Sequence, residues 1–248
     1  MLYWQQQGEG PNVVLVHGFL GSGKIFKPLT EHLAKTFTVT TIDLPGFGRS
    51  YDVPSPPTVE QLSAMVADTI QAAHIGKCSI LGHSLGAMIA LELSLQRPVL
   101  FKKMVLYGGC PDGYLPGRFE TTQESINKIR LKGVNSVAAE IAAEWFRLGK
   151  EDPMYPLAKA AGSRSNEETA IVHLKSWDHW KASGKLRNVK MPTLIICGDS
   201  DRSTHPDLSI EMWKKISRAQ LFIAPNAGHI VHLEYQNEFN SIVEKFLK

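Results

Sequence analysis

The sequence predicts an α/β fold: a mostly parallel, doubly wound sheet covered by helices on both faces and interrupted once by a long helical insertion. Three observations carry this. Short β-branched runs alternate with helical patterns over the first 110 residues, the alternation then lapses, and it resumes after Pro192.

Taken in order, Val13-Val-Leu-Val16 is a continuous apolar run, as expected of a strand covered on both faces. Residues 25–35 read as a helix, 38–42 as a strand and 59–73 as a helix. Pro57 and Thr58, with Gln61 three residues after Thr58, give that helix a capping-box start. Residues 79–81 and 104–107 repeat the strand pattern on either side of a helix at 85–96. Residues 111–189 carry no convincing strand and at least three helical segments. Thr121 and Glu124, and Ser165 and Glu168, have capping-box spacing, and Gly149 and Gly184 stand where helix stops are expected. Beyond Pro192 come a strand at 193–197, a helix at 207–216, a strand at 221–223 and a helix at 236–247. The organisation expected is a core of residues 1–110 and 190–248 with 111–189 as a helical lid; insertions beside the carboxyl ends of a sheet commonly cover sites.

Composition narrows the function classes. Hydrophobic residues make up 43% and charged residues 21%, ordinary for a globular protein, and Gly 20 with Pro 14 excludes low-complexity sequence. A net charge of +3 with no Lys/Arg block argues against nucleic acid. No apolar run approaches the roughly 18 residues of a membrane helix. The N-terminus has neither basic nor apolar leader regions, which argues against a secretory signal and for the cytoplasm. Cys78, Cys110 and Cys197 lack zinc-site spacing, and two of them fall in predicted buried strands, where a thiol acts as a small hydrophobe. Gly21-Ser-Gly-Lys24 lacks the full phosphate-loop spacing.

The sharpest chemical signal is Gly82-His83-Ser84-Leu85-Gly86, placed directly after one strand and opening a helix. A Gly-x-Ser-x-Gly at that junction describes a nucleophile elbow, in which a strained turn lifts the serine hydroxyl above the sheet. The plainer alternative is a Gly-rich turn with a serine N-cap. A serine hydroxyl needs a base, and the base needs an orienting acid. His229, in the turn Pro225-Asn-Ala-Gly-His229 after a strand, is the candidate base; His232 competes but lies inside the next segment. For the acid, Asp201 in Gly198-Asp-Ser-Asp201 is favoured over Asp199, which is placed to satisfy turn amides, and Asp112 is a third candidate. The developing oxyanion needs backbone donors, expected from Leu85 at the start of the helix and from Phe19 in His17-Gly18-Phe19.

His17-Gly18-Phe19, Asp43-Leu-Pro-Gly-Phe-Gly-Arg-Ser50, the Ser84 elbow, Gly198-Asp-Ser-Asp201 and Ala227-Gly-His229 together resemble the α/β-hydrolase superfamily. The resemblance implies a catalytic triad of Ser84, Asp201 and His229, a helical cap after the sixth core strand, and a structural role for residues 43–50. Residues 198–204 also resemble the matching turn of enol-lactonases, and residues 82–90 the matching helix of hydrolase-like signalling receptors. A serine nucleophile disfavours dehalogenase and epoxide hydrolase chemistry. The expected activity is cleavage of a small carboxylic ester or lactone, with neither metal nor organic cofactor. The alternatives are a carbon–carbon hydrolase of aromatic ring-fission products and a ligand-binding signalling protein; no residue sets the oligomeric state. Trp145, Phe146, Trp177 and Trp180 read chiefly as packing of the insertion, with Trp177 and Trp180 on one helix face, and His173 and His179 as ordinary helix residues.

Overall fold

The computed structural model describes residues 1–248 except Pro116. Among the described residues seven strands form one sheet: β1 (Trp4–Gln7), β2 (Asn12–Val16), β3 (Thr38–Ile42), β4 (Cys78–His83), β5 (Phe101–Tyr107), β6 (Thr193–Gly198) and β7 (Ala219–Ala224). Their spatial order is β1-β3-β2-β4-β5-β6-β7. All neighbours are parallel except β1, which runs antiparallel to β3. Every residue of β4 and β6 is buried, so helices cover both faces there, whereas the edge strand β1 is largely exposed. This exposure is why β1 escapes the sequence pattern: Gln5, Gln6 and Gln7 give it neither alternation nor an apolar run.

The core helices are α1 (Lys27–Leu33), α2 (Val59–Ala72), α3 (Leu85–Gln96), α8 (Pro206–Lys215), α9 (Val231–Glu234) and α10 (Gln236–Leu247). α1 packs with α10, α2 with α3, and α8 against β6 and β7. The first predicted helix starts late because Gly23–Phe26 forms a 3₁₀ turn and Pro28 occupies the first turn of α1. Thr58 caps α2 by accepting from the Gln61 amide at 3.3 Å.

Between β5 and β6 the chain forms α4 (Thr122–Lys132), α5 (Val134–Glu144), α6 (Tyr155–Gly162) and α7 (Glu167–Asp178), and no strand of the sheet among the described residues. In chain order the insertion therefore follows the fifth strand of the described sheet rather than a sixth, since five strands precede α4 and two follow α7. Thr121 and Glu124 form a complete capping box. Ser165 does not cap α7; its hydroxyl donates to the Gly162 carbonyl, and the neighbouring Asn166 accepts from the Thr169 amide instead. Gly149 and Gly184 stop no helix: α5 ends earlier, at Glu144, and both glycines lie in 3₁₀ turns. α7 ends at Asp178, so Trp177 and Trp180 do not share a helix face.

The insertion lies across the carboxyl edge of the sheet. The Gly48 amide donates to the Arg164 carbonyl (2.9 Å), Asn166 N–H to Gly46 (2.8 Å), His229 N–H to Trp145 (2.7 Å) and Phe119 N–H to Arg202 (3.1 Å). Each bond joins the insertion to a loop that leaves a strand, so the strand ends are roofed by α4–α7.

Candidate active site

Ser84 stands between β4 and α3 with φ +55° and ψ −117°, a left-handed conformation rare for a residue with a Cβ. Its surroundings hold it there. The Ser84 amide donates to the Tyr107 carbonyl at 2.9 Å, and its carbonyl accepts from Ala87 at 2.8 Å. A Cβ on Gly82 would meet the Gly86 carbonyl oxygen at 2.0 Å, and one on Gly86 would meet that of Val16 at 2.1 Å. Only glycines let strand, turn and helix approach this closely.

Asp201 is 2% exposed and accepts four hydrogen bonds. Its Oδ1 takes the amides of Ser203 (2.8 Å) and Thr204 (2.9 Å), and its Oδ2 takes the Thr204 hydroxyl (3.0 Å) and His229 Nδ1 (2.7 Å). The imidazole thus keeps its proton on Nδ1 and leaves Nε2 free to accept one. Asp199 faces away, accepting from the Asn226 amide (2.9 Å) and the Ser200 hydroxyl (2.8 Å); these bonds, led by Asn226, hold its carboxyl below the usual range. Asp112 accepts from the Ala182 and Ser183 amides, both at 2.9 Å, and ties the start of the insertion to its end.

His232 is a core residue: its ring bonds Tyr107 Oη (3.1 Å) and the Ile25 carbonyl (3.1 Å), and burial pushes its pKa down to about 3. His83, the variable residue of the elbow, stacks on Tyr107 and bonds the His229 carbonyl at 3.0 Å. His173 is a buried tie from α7 to the core, bonded to the Pro45 carbonyl at 2.9 Å and stacked on Phe47, while His179 is exposed.

Ser84 and His229 line one cavity of about 30 Å³, together with Phe19, Leu85, Met88, Leu115, Arg118, Phe119, Ile141, Trp145, Trp177, Ser203 and Thr204. No hydrogen bond joins Ser84 Oγ to the His229 ring in this structure. The Phe19 and Leu85 amides donate to no protein acceptor among the described residues, and a Cβ on Gly18 would come within 2.9 Å of Ser84 Cβ, so this loop abuts the serine. Of the insertion's aromatic residues, Phe119, Trp145 and Trp177 line the cavity; Phe146 is fully buried, and Trp180 donates to the buried Glu92 at 3.0 Å. Burial pushes the Cys78 thiol up to about 12 and the Cys197 thiol up to about 11, so both remain protonated in their strands.

Three participants escape the sequence reading. Thr204 bonds Asp201 and the Gly108 carbonyl (2.9 Å); its spacing of three after Asp201 was the available signal. Glu234 joins the histidine loop to the insertion, accepting from Gly228 N–H at 2.7 Å and Arg147 N–H at 2.8 Å. Arg118 enters the cavity wall from an irregular segment that has no local pattern.

No group of three or more ligating His, Cys, Asp or Glu side chains occurs among the described residues, and no described helix is long and apolar enough to cross a membrane. The family model for the alpha/beta hydrolase fold matches residues 11–235. A pimeloyl-acyl-carrier-protein methyl ester esterase of Nitrosospira multiformis is 26% identical, over 100% of this chain and 98% of its own length. Its namesake from Aliivibrio salmonicida is 33% identical, over 100% and 96%. Among solved structures, the enol-lactonase of Burkholderia xenovorans superposes with a TM-score of 0.88 at 22% identity, covering 99% of this chain and 96% of that one.

Proposed function

The chain belongs to the α/β-hydrolase family, and from that premise we propose that it is a serine hydrolase of small carboxylic esters or lactones. The observation that carries the reading is the strained Ser84 facing the same cavity as a histidine whose other ring nitrogen is held by a buried carboxylate. Two relatives named as methyl ester esterases support the choice of ester chemistry.

In this reading Ser84 Oγ attacks the substrate carbonyl carbon and its proton passes to His229 Nε2. The carbonyl π electrons move to the oxygen, and the Phe19 and Leu85 amides would donate hydrogen bonds to it there. Collapse returns the carbonyl, breaks the bond to the alcohol oxygen, and His229 returns the proton to that leaving group. A water then attacks the acyl-enzyme with His229 again as base, releasing the acid and Ser84. Asp201 keeps the proton on Nδ1 and offsets the imidazolium charge. Ser84 and His229 line the same cavity without a hydrogen bond between them, and catalytic bonds of this kind often tighten only with substrate bound. At about 30 Å³ the cavity holds roughly two waters, so a substrate enters when the α4–α7 cap gives way at Leu115 and Phe119.

The test is initial hydrolysis of p-nitrophenyl acetate and butyrate by wild type and Ser84→Ala. The expected result is turnover that falls by about 10⁴-fold or more in the variant, with an unchanged melting temperature. Negligible turnover by the folded wild type would overturn the ester reading and favour carbon–carbon cleavage or ligand sensing.

A further inference from the structure

Among the described residues, the wall of the Ser84–His229 cavity is apolar except for Ser84, Ser203, Thr204, His229 and one guanidinium, Arg118. A guanidinium beside a reaction site is costly to place unless it has a partner. Arg118 Nη1 donates to the Glu120 carbonyl (2.8 Å) and to Ser125 Oγ (3.2 Å), which anchors one side of the fork. Its Cζ lies over the rings of Phe119, 4.8 Å from the centroid, and Trp177, 6.0 Å from the centroid, both of which line the cavity. Nε and Nη2 donate to no acceptor among the described residues, and no carboxylate oxygen there lies within ion-pair distance. Glu120, the nearest acid in sequence, is already taken: its carboxylate bonds Ser125 and pairs with Lys128. Asp178 also acts on Arg118 electrostatically, but its Oδ1 accepts from the Thr122 hydroxyl at 2.7 Å. Ser203, another cavity residue, carries a buried hydroxyl with no partner among the described residues.

Leu115 and Arg118 also line an outer cleft of about 420 Å³ with Tyr114, Asp178 and His179, so Arg118 stands between the outside and the serine. The fork, anchored through Nη1, keeps two donor positions in hand at that boundary. A planar fork of this kind matches a carboxylate with two parallel hydrogen bonds.

We propose that Arg118 is a specificity-determining residue that binds a free carboxylate on the substrate, so that the preferred substrate is a half-ester of a dicarboxylic acid or a lactone bearing an acid group. This rests on the ester-hydrolase reading above and narrows its substrate class. The carboxylate sits against Arg118 at the outer wall and the ester carbonyl reaches inward to Ser84. A neutral ester forfeits the ionic contact and leaves the guanidinium without an anion.

The experiment compares kcat/KM for monomethyl glutarate with that for methyl 5-methylhexanoate, in which an isopropyl group replaces the carboxylate. Wild type, Arg118→Gln and Arg118→Lys are assayed by methanol release. The expected result is a charged-over-neutral preference in wild type that falls about 10- to 100-fold in Arg118→Gln and is partly kept in Arg118→Lys. A merely structural role for Arg118 would depress both substrates together and leave the ratio unmoved; that result overturns the proposal while the ester reading stands. Preference of wild type for the neutral ester overturns it as well. Failure of wild type on both esters overturns the ester reading and this inference with it. Calorimetric titration of Ser84→Ala with monomethyl glutarate gives a readout free of turnover: binding lost on adding Arg118→Gln supports the assignment, and binding retained contradicts it.

Discussion

At Asp201 two functions meet in one carboxylate. Oδ1 closes its own turn through the Ser203 and Thr204 amides, and Oδ2 is left for Thr204 Oγ1 and His229. Because the turn is closed by Oδ1, the Oδ2–His229 bond can be altered without unfolding the loop. Asp201→Asn would offer an amide N–H or a weaker acceptor to Nδ1, favouring the wrong tautomer. It is expected to lower kcat for p-nitrophenyl acetate by about 10³- to 10⁴-fold, against less than about threefold for Asp199→Asn, whose side chain serves the turn at Asn226. Equal losses in the two variants would reverse the assignment. The placement of Ser84, Asp201 and His229 is legible in the sequence because each occupies a short loop that follows a strand, where local pattern sets the position. Thr204 is less legible, since a threonine three residues after an aspartate is common in turns. Arg118 and Glu234 are illegible for a different reason: their partners lie in segments brought together only by the tertiary fold.

At the scale of elements, the histidine loop is fastened to the cap as well as to β7. His229 N–H donates to Trp145 at the end of α5, and the Glu234 carboxylate on α9 bridges Gly228 and Arg147. Burial raises the Glu234 carboxyl above its ordinary value despite the two amides that favour its ionised form. Glu234→Gln would turn an NH₂ toward one of those amides. The expected cost is about 1–3 kcal/mol of stability and about a tenfold fall in kcat for p-nitrophenyl acetate, as the ring of His229 loses its support. A stability loss with an unchanged kcat would confine Glu234 to packing. α3, α10 and the strands β2 to β6 follow the sequence pattern because they are apolar on the faces they bury. β1 and the 3₁₀ turn at Gly23–Phe26 do not: an exposed polar edge strand and a proline-delayed helix are placed by neighbours rather than by periodicity. Within the cap the helices are legible but their ends are not, as the shift from Ser165 to Asn166 shows.

Across the whole molecule, four histidines are held neutral by burial: His17, His83, His173 (about 4) and His232 (about 3). The unfolded chain protonates such groups near 6.5, so between that pH and the folded values it binds more protons than the native state. Stability from these groups is complete above 6.5 and declines as the pH falls, by about 1.4 kcal/mol per pH unit for each fully neutral-held histidine. Glu234, with its raised carboxyl, opposes this weakly. Melting temperature should therefore drop from pH 7.5 to 5.5, and His232→Gln should flatten that slope; a pH-independent melting temperature would contradict the account. On the proposed reading Ser84 is the reacting group of the cavity, and the most direct measurement is mass spectrometry after exposure to a fluorophosphonate. The expected result is one adduct per chain, formed with loss of fluoride, mapped to Ser84, absent in Ser84→Ala and strongly slowed in His229→Gln. An adduct on another residue, or none on folded wild type, would contradict it.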